Sequence, residues 1–455
     1  MKLWMAVMRD LESVMNDCRR IFDAWAEGGV DGVVVGPLVF NAGMLLPGAL
    51  PRDTRMPATP AFEPDSRVYG RFGVEPPAVV EHASAEQRRQ LEETLQEAKK
   101  RGFAIYIMYP ESGAGPGGDG HYLHDERSIN ARIARMVDTV EHFPMVDGAV
   151  LDGPEWGYEI APGHMNYRSY IFNDLPLETA PLCEELNFDY NALLAAKDRL
   201  FALLHNLDPM RIRLHADGGL LGGFQLLGGD PDLMSWMKFR VDSLTAFFRR
   251  IRDGFKSELG RSVRLGTGPR TAVFAPLCGY DFGRLAEFMD FLSPKHYFWH
   301  RGFDGLVGTI HRYVETLMEW NPGLAANDAI FVVQTLFGIA LPGVREMRDF
   351  DKALCPEFFE QIVAQETRRA LAAVDDPDRI IPWVDAGRFP HDGDPMSADD
   401  LRQILEAAQD AGLRRFLYHH QGNLTAGEWV VISEMCGKRW DSRTSSYKPP
   451  DMMVL

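Results

Sequence analysis

Two carboxyls and an indole stand together in VDGAVLDGPEW, residues 146–156, directly after a small apolar run of core character. Asp152, Glu155 and Trp156 follow the point where that run ends at Leu151. Similar gatherings recur further on. VRLGTG is followed by Pro269 and Arg270, and FLSPKHYFWHRG carries Lys295, His296, Tyr297, Trp299 and His300. IIPWVDAGR carries Trp383, Asp385 and Arg388, and FLYHHQGN carries Tyr418, His419, His420, Gln421 and Asn423. The chemistry that needs such a set is hydrolysis at an acetal carbon. One protonated carboxyl gives its proton to the leaving oxygen, while a second, ionised carboxylate attacks or activates water. Tryptophans offer flat apolar surface to a sugar ring and raise the pKa of a neighbouring carboxyl by desolvation.

On this reading Glu155 is the general acid/base and Asp385 the nucleophile or base. Asp152 is an alternative acid or holds its neighbours. Trp156, Arg270, Lys295, His296, Tyr297, Trp299, Trp383, His419 and Gln421 line the substrate site. Each has a plainer reading. Glu155 would cap a turn, and Asp152 and Asp385 precede Gly or Ala-Gly as turn residues do. Period-two alternation sends His419 and His420 to opposite faces and splits Lys295, His296 and Tyr297 the same way. Arg388 reads first as the partner of a nearby acid. HDGD (391–394) reads as a solvated turn.

No metal and no cofactor is assigned. His215 and Asp217 in LHADGG would make two metal ligands without a third, a weak set. A metal-dependent barrel hydrolase or isomerase using His215, Asp217, His296 or His419 is the second reading. A non-catalytic carbohydrate-binding barrel is the third. GxSxG, HExxH and P-loop patterns are absent.

These residues must be positioned by something, and the order of segments says what. Short apolar strands alternate with amphipathic helices: LWMAVM, GVVVG, AIYIMYP, GAVLDG, VRLGTG, FLSPKHY, IIPWVDAG and FLYHH are eight strand-like runs. Such alternation means parallel strands buried on both faces. The predicted fold class is α/β, a (β/α)8 TIM barrel with long βα loops on its C-terminal face, where such barrels keep their sites. A ninth apolar run, 329–338, reads as a helix or an excursion. A doubly wound sheet lacks its glycine fingerprint after the first strand. The barrel is expected over 1–430, with insertions at 37–85, 110–126 and 152–189. Residues 431–455 form an extension packed on it or a disordered tail. Ser397 and the acids after it predict a capped helix start.

The bulk numbers narrow the partners. The 455 residues carry a formal net charge of −17, which disfavours polyanions, so neither nucleic acid nor an anionic membrane is expected. A neutral small carbohydrate and a homo-oligomer are compatible. Five dispersed cysteines without a CxxC read as reduced thiols, and the expected location is the cytoplasm.

LDGPEW, the run WMKFRVDSLTAFFRRIRDGFKSELGRSVRLG and FMDFLSPKHY together resemble glycoside-hydrolase-like (β/α)8 barrels related to clan A. The resemblance covers most of the chain through its order of elements. It implies an acid/base glutamate after the fourth strand and a nucleophilic glutamate after the seventh, matched by Glu155 and Asp385. Pro154 replaces the usual asparagine before the acid/base, and strand seven offers Asp in place of Glu. Both departures bear on a retaining mechanism.

Overall fold

A computed structural model describes residues 1–8, 11–40, 59–78, 82–110, 123, 125–161, 170–215, 218–268, 270–302, 304–388 and 391–452. Eight parallel strands form one sheet: β1 (Lys2–Val7), β2 (Val30–Val35), β3 (Ala104–Pro110), β4 (Gly148–Asp152), β5 (Arg264–Thr267), β6 (Lys295–His296), β7 (Trp383–Val384) and β8 (Arg415–Tyr418). Their order is β5-β4-β3-β2-β1-β8-β7-β6. The two end strands approach one another. Isolated parallel bridges join Gly266 to Phe291 and Arg270 to Pro294, beside the chain that enters β6. The sheet therefore curls toward a barrel.

The eight strands coincide with the eight apolar runs of the sequence, and 329–338 lies in a helix, Ala326–Phe337. β6 and β7 are two residues long for a local reason. Pro294 and Pro382 stand immediately before them, and proline has no N–H to give a ladder. Their carbonyls still accept: Trp383 N donates to Pro294 at 2.8 Å, and Leu417 N donates to Pro382 at 2.9 Å.

Aromatic rings fill the inside of the curl. Trp4 of β1 stacks on Tyr106 of β3 at 4.5 Å between centroids, and Phe291 meets both edge-on at 5.3 and 5.2 Å. Two glycines make the space. A Cβ on Gly32 would lie 2.6 Å from the Trp4 ring, and one on Gly266 would lie 2.0 Å from the Phe291 ring.

Helices cross outside the sheet, among them α1 (Cys18–Glu27), α2 (Ala85–Lys100), α3 (Glu126–His142), α4 (Pro231–Ser257), α5 (Leu306–Trp320), α6 (Ala326–Phe337), α7 (Ala364–Leu371), α8 (Ala398–Asp410) and α9 (Ala426–Cys436). Ser397 caps α8 as its sequence predicts: Asp400 N donates to Ser397 Oγ at 3.1 Å. The expected boundary after residue 430 falls inside α9. Beyond that helix the chain lies on α1, where Trp25 Nε1 donates to the Tyr447 hydroxyl at 3.4 Å and Arg20 reaches the Ser446 carbonyl at 2.8 Å. Of the three insertions, residues 41–58, 79–81, 111–122, 124 and 162–169 lie outside the described residues. No described helix is long and apolar enough to cross a membrane.

The packing gives a direct test. Gly266→Ala should destabilise the fold by about 1–3 kcal/mol, the usual range for overpacking a filled core. Trimming the opposing ring in a Gly266→Ala/Phe291→Leu double variant should recover part of the loss. Urea denaturation measures both, and a neutral Gly266→Ala would contradict the ring contact.

Candidate functional site

Polar residues collect where β4 to β8 end. At β4, Gly153 takes a φ of 108°, a left-handed conformation that turns the chain out of the sheet directly after Asp152. Asp152 and Glu155 keep partial access to solvent, with side chains 30% and 19% exposed. Between them lies buried Arg270. Its Nε is ion-paired with Glu155 Oε2, and its Nη1 is 3.7 Å from Asp152 Oδ1. Burial works against the guanidinium charge, but Glu155, Tyr280 and Asp152 outweigh it and push the Arg270 pKa upward.

Alternation after β6 sorts the next residues. Lys295, Tyr297 and Trp299 share one side: the Lys295 ammonium is 5.5 Å from the Tyr297 ring centroid, and Tyr297 stacks on Trp299 at 4.9 Å. His296 points the other way, toward α7, with its Nε2 3.5 Å from Thr367 Oγ1. It is a packing histidine and not part of the mouth. Tyr297 is the link across the site. Its pKa is raised well above the ordinary tyrosine value, first by burial and then by the charges of Asp385 and Asp152, while Arg270 opposes them. The carboxylates after β4 and β7 thus border one region.

Asp385 follows β7 and is fully buried. Its Oδ1 accepts from Gly387 N at 2.7 Å. Its Oδ2 lies 2.7 Å from His419 Nδ1 and 3.4 Å from His391 Nδ1. Burial alone would favour the neutral acid, but His391 and His419 outweigh it and hold the carboxyl well below the usual carboxylate range. His391 itself is pushed down to about 4, mainly by burial. His419 and His420 lie beyond the end of β8, so the alternation expected of a strand does not apply to them. A cis peptide bond joins them, their ring centroids stay 5.3 Å apart, and His420 Nδ1 accepts from Gly422 N at 3.1 Å. Gln421 is buried in the single turn that follows β8.

The three tryptophans proposed as sugar platforms are buried. Trp156 donates its indole N–H to the Arg240 carbonyl at 3.1 Å and to Ser243 Oγ at 3.0 Å, both on α4. Trp299 is wrapped by Gly305, Gly387 and Gly393, each too close to its ring to carry a Cβ. Trp383 lies against His419 at 5.2 Å. Arg388 bonds Glu428 of α9 at 2.6 Å, and Tyr418 donates to the same carboxylate at 3.0 Å, so it ties helix to loop.

Two residues of the cluster escape sequence reasoning. HDGD is a turn, but it is not wholly solvated: His391 is buried against Tyr297 and Trp299, at 5.1 and 5.0 Å between centroids. Asp304 sits in a glycine-flanked turn with a φ of 69° and pairs with Lys295 at 2.8 Å. The direction of a turn side chain has no signature in periodicity. His215 ends a helix, Pro209–His215, in the excursion between β4 and β5, and Asp217 lies outside the described residues. The three-donor group among the described residues is instead Asp385, His391 and His419.

No protein-family model matches the chain, and no curated protein matches it in sequence. Solved structures do. The glycoside hydrolase domain of PgaB (BpsB) from Bordetella bronchiseptica is similar at a TM-score of 0.50 and 12% identity, over 97% of this chain and 100% of that one. The class V chitinase of Nicotiana tobaccum gives 0.44 at 8% identity, over 96% and 99%. The chain shares with the PgaB domain an α/β fold whose eight-stranded parallel sheet curls toward a barrel. At such identity the likeness concerns fold and assigns no clan or family.

Acid should test the buried imidazole of His296, which packs against α7. His296 is pushed down to about 3 by burial, against about 6.5 in an unfolded chain. Between these values the unfolded chain takes up a proton that the fold refuses. The neutral ring therefore costs the fold nothing above pH 6.5, and stability falls as pH drops from there toward 3, by up to about 1.4 kcal/mol per pH unit. His296→Gln should flatten that part of the stability profile, measured by urea denaturation between pH 7 and 4. An unchanged slope would refute the assignment.

Proposed function

We propose that the protein is a glycoside hydrolase, built on a closed (β/α)8 barrel, that cleaves a short or terminal glycosidic bond by carboxylate acid/base chemistry. One observation carries the reading. Arg270 is ion-paired with Glu155 and lies 3.7 Å from Asp152 after β4, Asp385 after β7 bonds two imidazoles that favour its charge, and Tyr297 stands in the field of both Asp152 and Asp385. Glycosidic hydrolysis needs that division, one carboxyl that exchanges a proton and one that keeps its charge. The fold shared with a glycoside hydrolase domain supports the same reading, although fold alone does not define activity.

In this scheme Glu155 exchanges the proton with the leaving oxygen, and Asp385 supplies the negative charge opposite it. Arg270, paired with Glu155 and 3.7 Å from Asp152, orients the two acids after β4. Tyr297, kept protonated, has a hydroxyl to offer to a sugar oxygen. Lys295, His419 and Gln421 position the substrate or the acids beside it.

Glu155→Gln and Asp385→Asn should each lower kcat on aryl glycosides by about 10²–10⁴-fold, the range that general acid/base groups contribute. Arg270→Met should disturb the pH profile of kcat more than KM. Assays on a panel of nitrophenyl glycosides, with circular dichroism to verify folding, measure this. A wild-type protein that binds sugars without turnover, and binds equally well as Glu155→Gln, would establish a binding module instead.

A further inference from the structure

We infer that Asp385, His391 and His419 form a three-ligand site for a first-row divalent metal ion, with zinc as the representative occupant. The donors come from the end of β7, the turn after it and the end of β8, and all three residues are buried. Their ligand atoms all lie within 4.8 Å of one another. Ligands about 2.0–2.1 Å from a tetrahedral zinc stand roughly 3.4 Å apart. The separation of Asp385 Oδ2 and His391 Nδ1 is 3.4 Å, and that of Asp385 Oδ2 and His419 Nδ1 is 2.7 Å. Two imidazoles and one carboxylate are a donor set suited to zinc, iron and other first-row ions.

A plain hydrogen bond from His419 Nδ1–H to Asp385 would account for the shorter contact. His391 presents its Nδ1 to the same oxygen and bonds it as well. Coordination would use the same three atoms, since each ring already turns its Nδ1 to the one carboxylate. The surroundings agree. His391 Nε2 faces Asp304 Oδ2 at 3.9 Å, too far for a direct hydrogen bond, so that this second carboxylate bears on the imidazole through its charge. Asp385 and Asp304 bring two negative charges against the one positive charge of Lys295, which bonds Asp304 at 2.8 Å. That balance favours a cation. Trp299, Tyr297 and Trp383 wall the site with rings.

Occupancy of the site does not depend on the substrate. Its use does rest on the glycosidase reading: with the ion bound, Asp385 would be a ligand, and the ion would supply a site for water or a sugar hydroxyl.

The test is metal binding by the full-length protein. Apo protein prepared with chelator should take up one equivalent of Zn²⁺ by titration calorimetry and retain it after desalting. Co²⁺ should give the visible absorption of a four- or five-coordinate ion, a readout that needs no variant. His391→Ala and Asp385→Asn should each weaken Zn²⁺ binding at least 100-fold, and Asp304→Asn about tenfold. Less than a tenth of an equivalent of zinc, or affinity unchanged in His391→Ala, overturns the site. Glycoside turnover that persists in chelator without bound metal overturns the ion's part in turnover and leaves the glycosidase reading standing. Stoichiometric zinc without turnover of any glycoside keeps the site and removes that reading.

Discussion

A parallel strand has two faces to cover, and here the inner faces cover one another through rings. Trp4 of β1, Tyr106 of β3 and Phe291 on the chain that enters β6 meet at centroid distances near 5 Å. They can meet only if the sheet curls, and the curl brings β5 beside the chain entering β6. Gly32 and Gly266 are conditions of that contact, since a methyl group at either would occupy the ring's volume. Every strand end that carries chemistry owes its direction to this packing, because the curl points the ends of β4 to β8 toward one region.

The site built there is unusually dry for its charge. Arg270, Lys295, Asp304, Asp385, His391 and His419 are all buried. Buried charge is tolerated when paired and costly when one partner is removed, and each of these groups has an opposite or polar neighbour. Arg270 lies with Glu155 and Asp152, Lys295 with Asp304, and Asp385 with two imidazoles. The partly exposed acids after β4 form the open side of this arrangement, and Asp385 its closed side. Tyr297 stands in the field of both.

Much of the architecture was legible because its signals are local. VVV runs and a capped helix at Ser397 follow from periodicity and backbone chemistry alone, whereas the split expected of His419 and His420 does not hold, because both lie past the end of β8. The burial of Trp156, Trp299 and Trp383 was not legible. An indole near an acid looks the same in sequence whether it faces a sugar or a helix, and Trp156 turned to α4 because Arg240 and Ser243 there accept its N–H. His296 was drawn into the candidate site by its neighbours, although alternation carries it to the opposite face.

The sequence by itself determined the succession of strands and helices, the shortening of β6 and β7 at Pro294 and Pro382, and the placing of acids at the ends of strands four and seven. These depend on neighbours within a few residues. Tertiary structure alone decided that His391, in a turn that reads as solvated, faces Asp385, and that Asp304 reaches Lys295. It also decided that Arg270 stands between Asp152 and Glu155, about 115 residues away. Such pairings depend on how a curled sheet brings distant loops together, and no local pattern of residues records that distance.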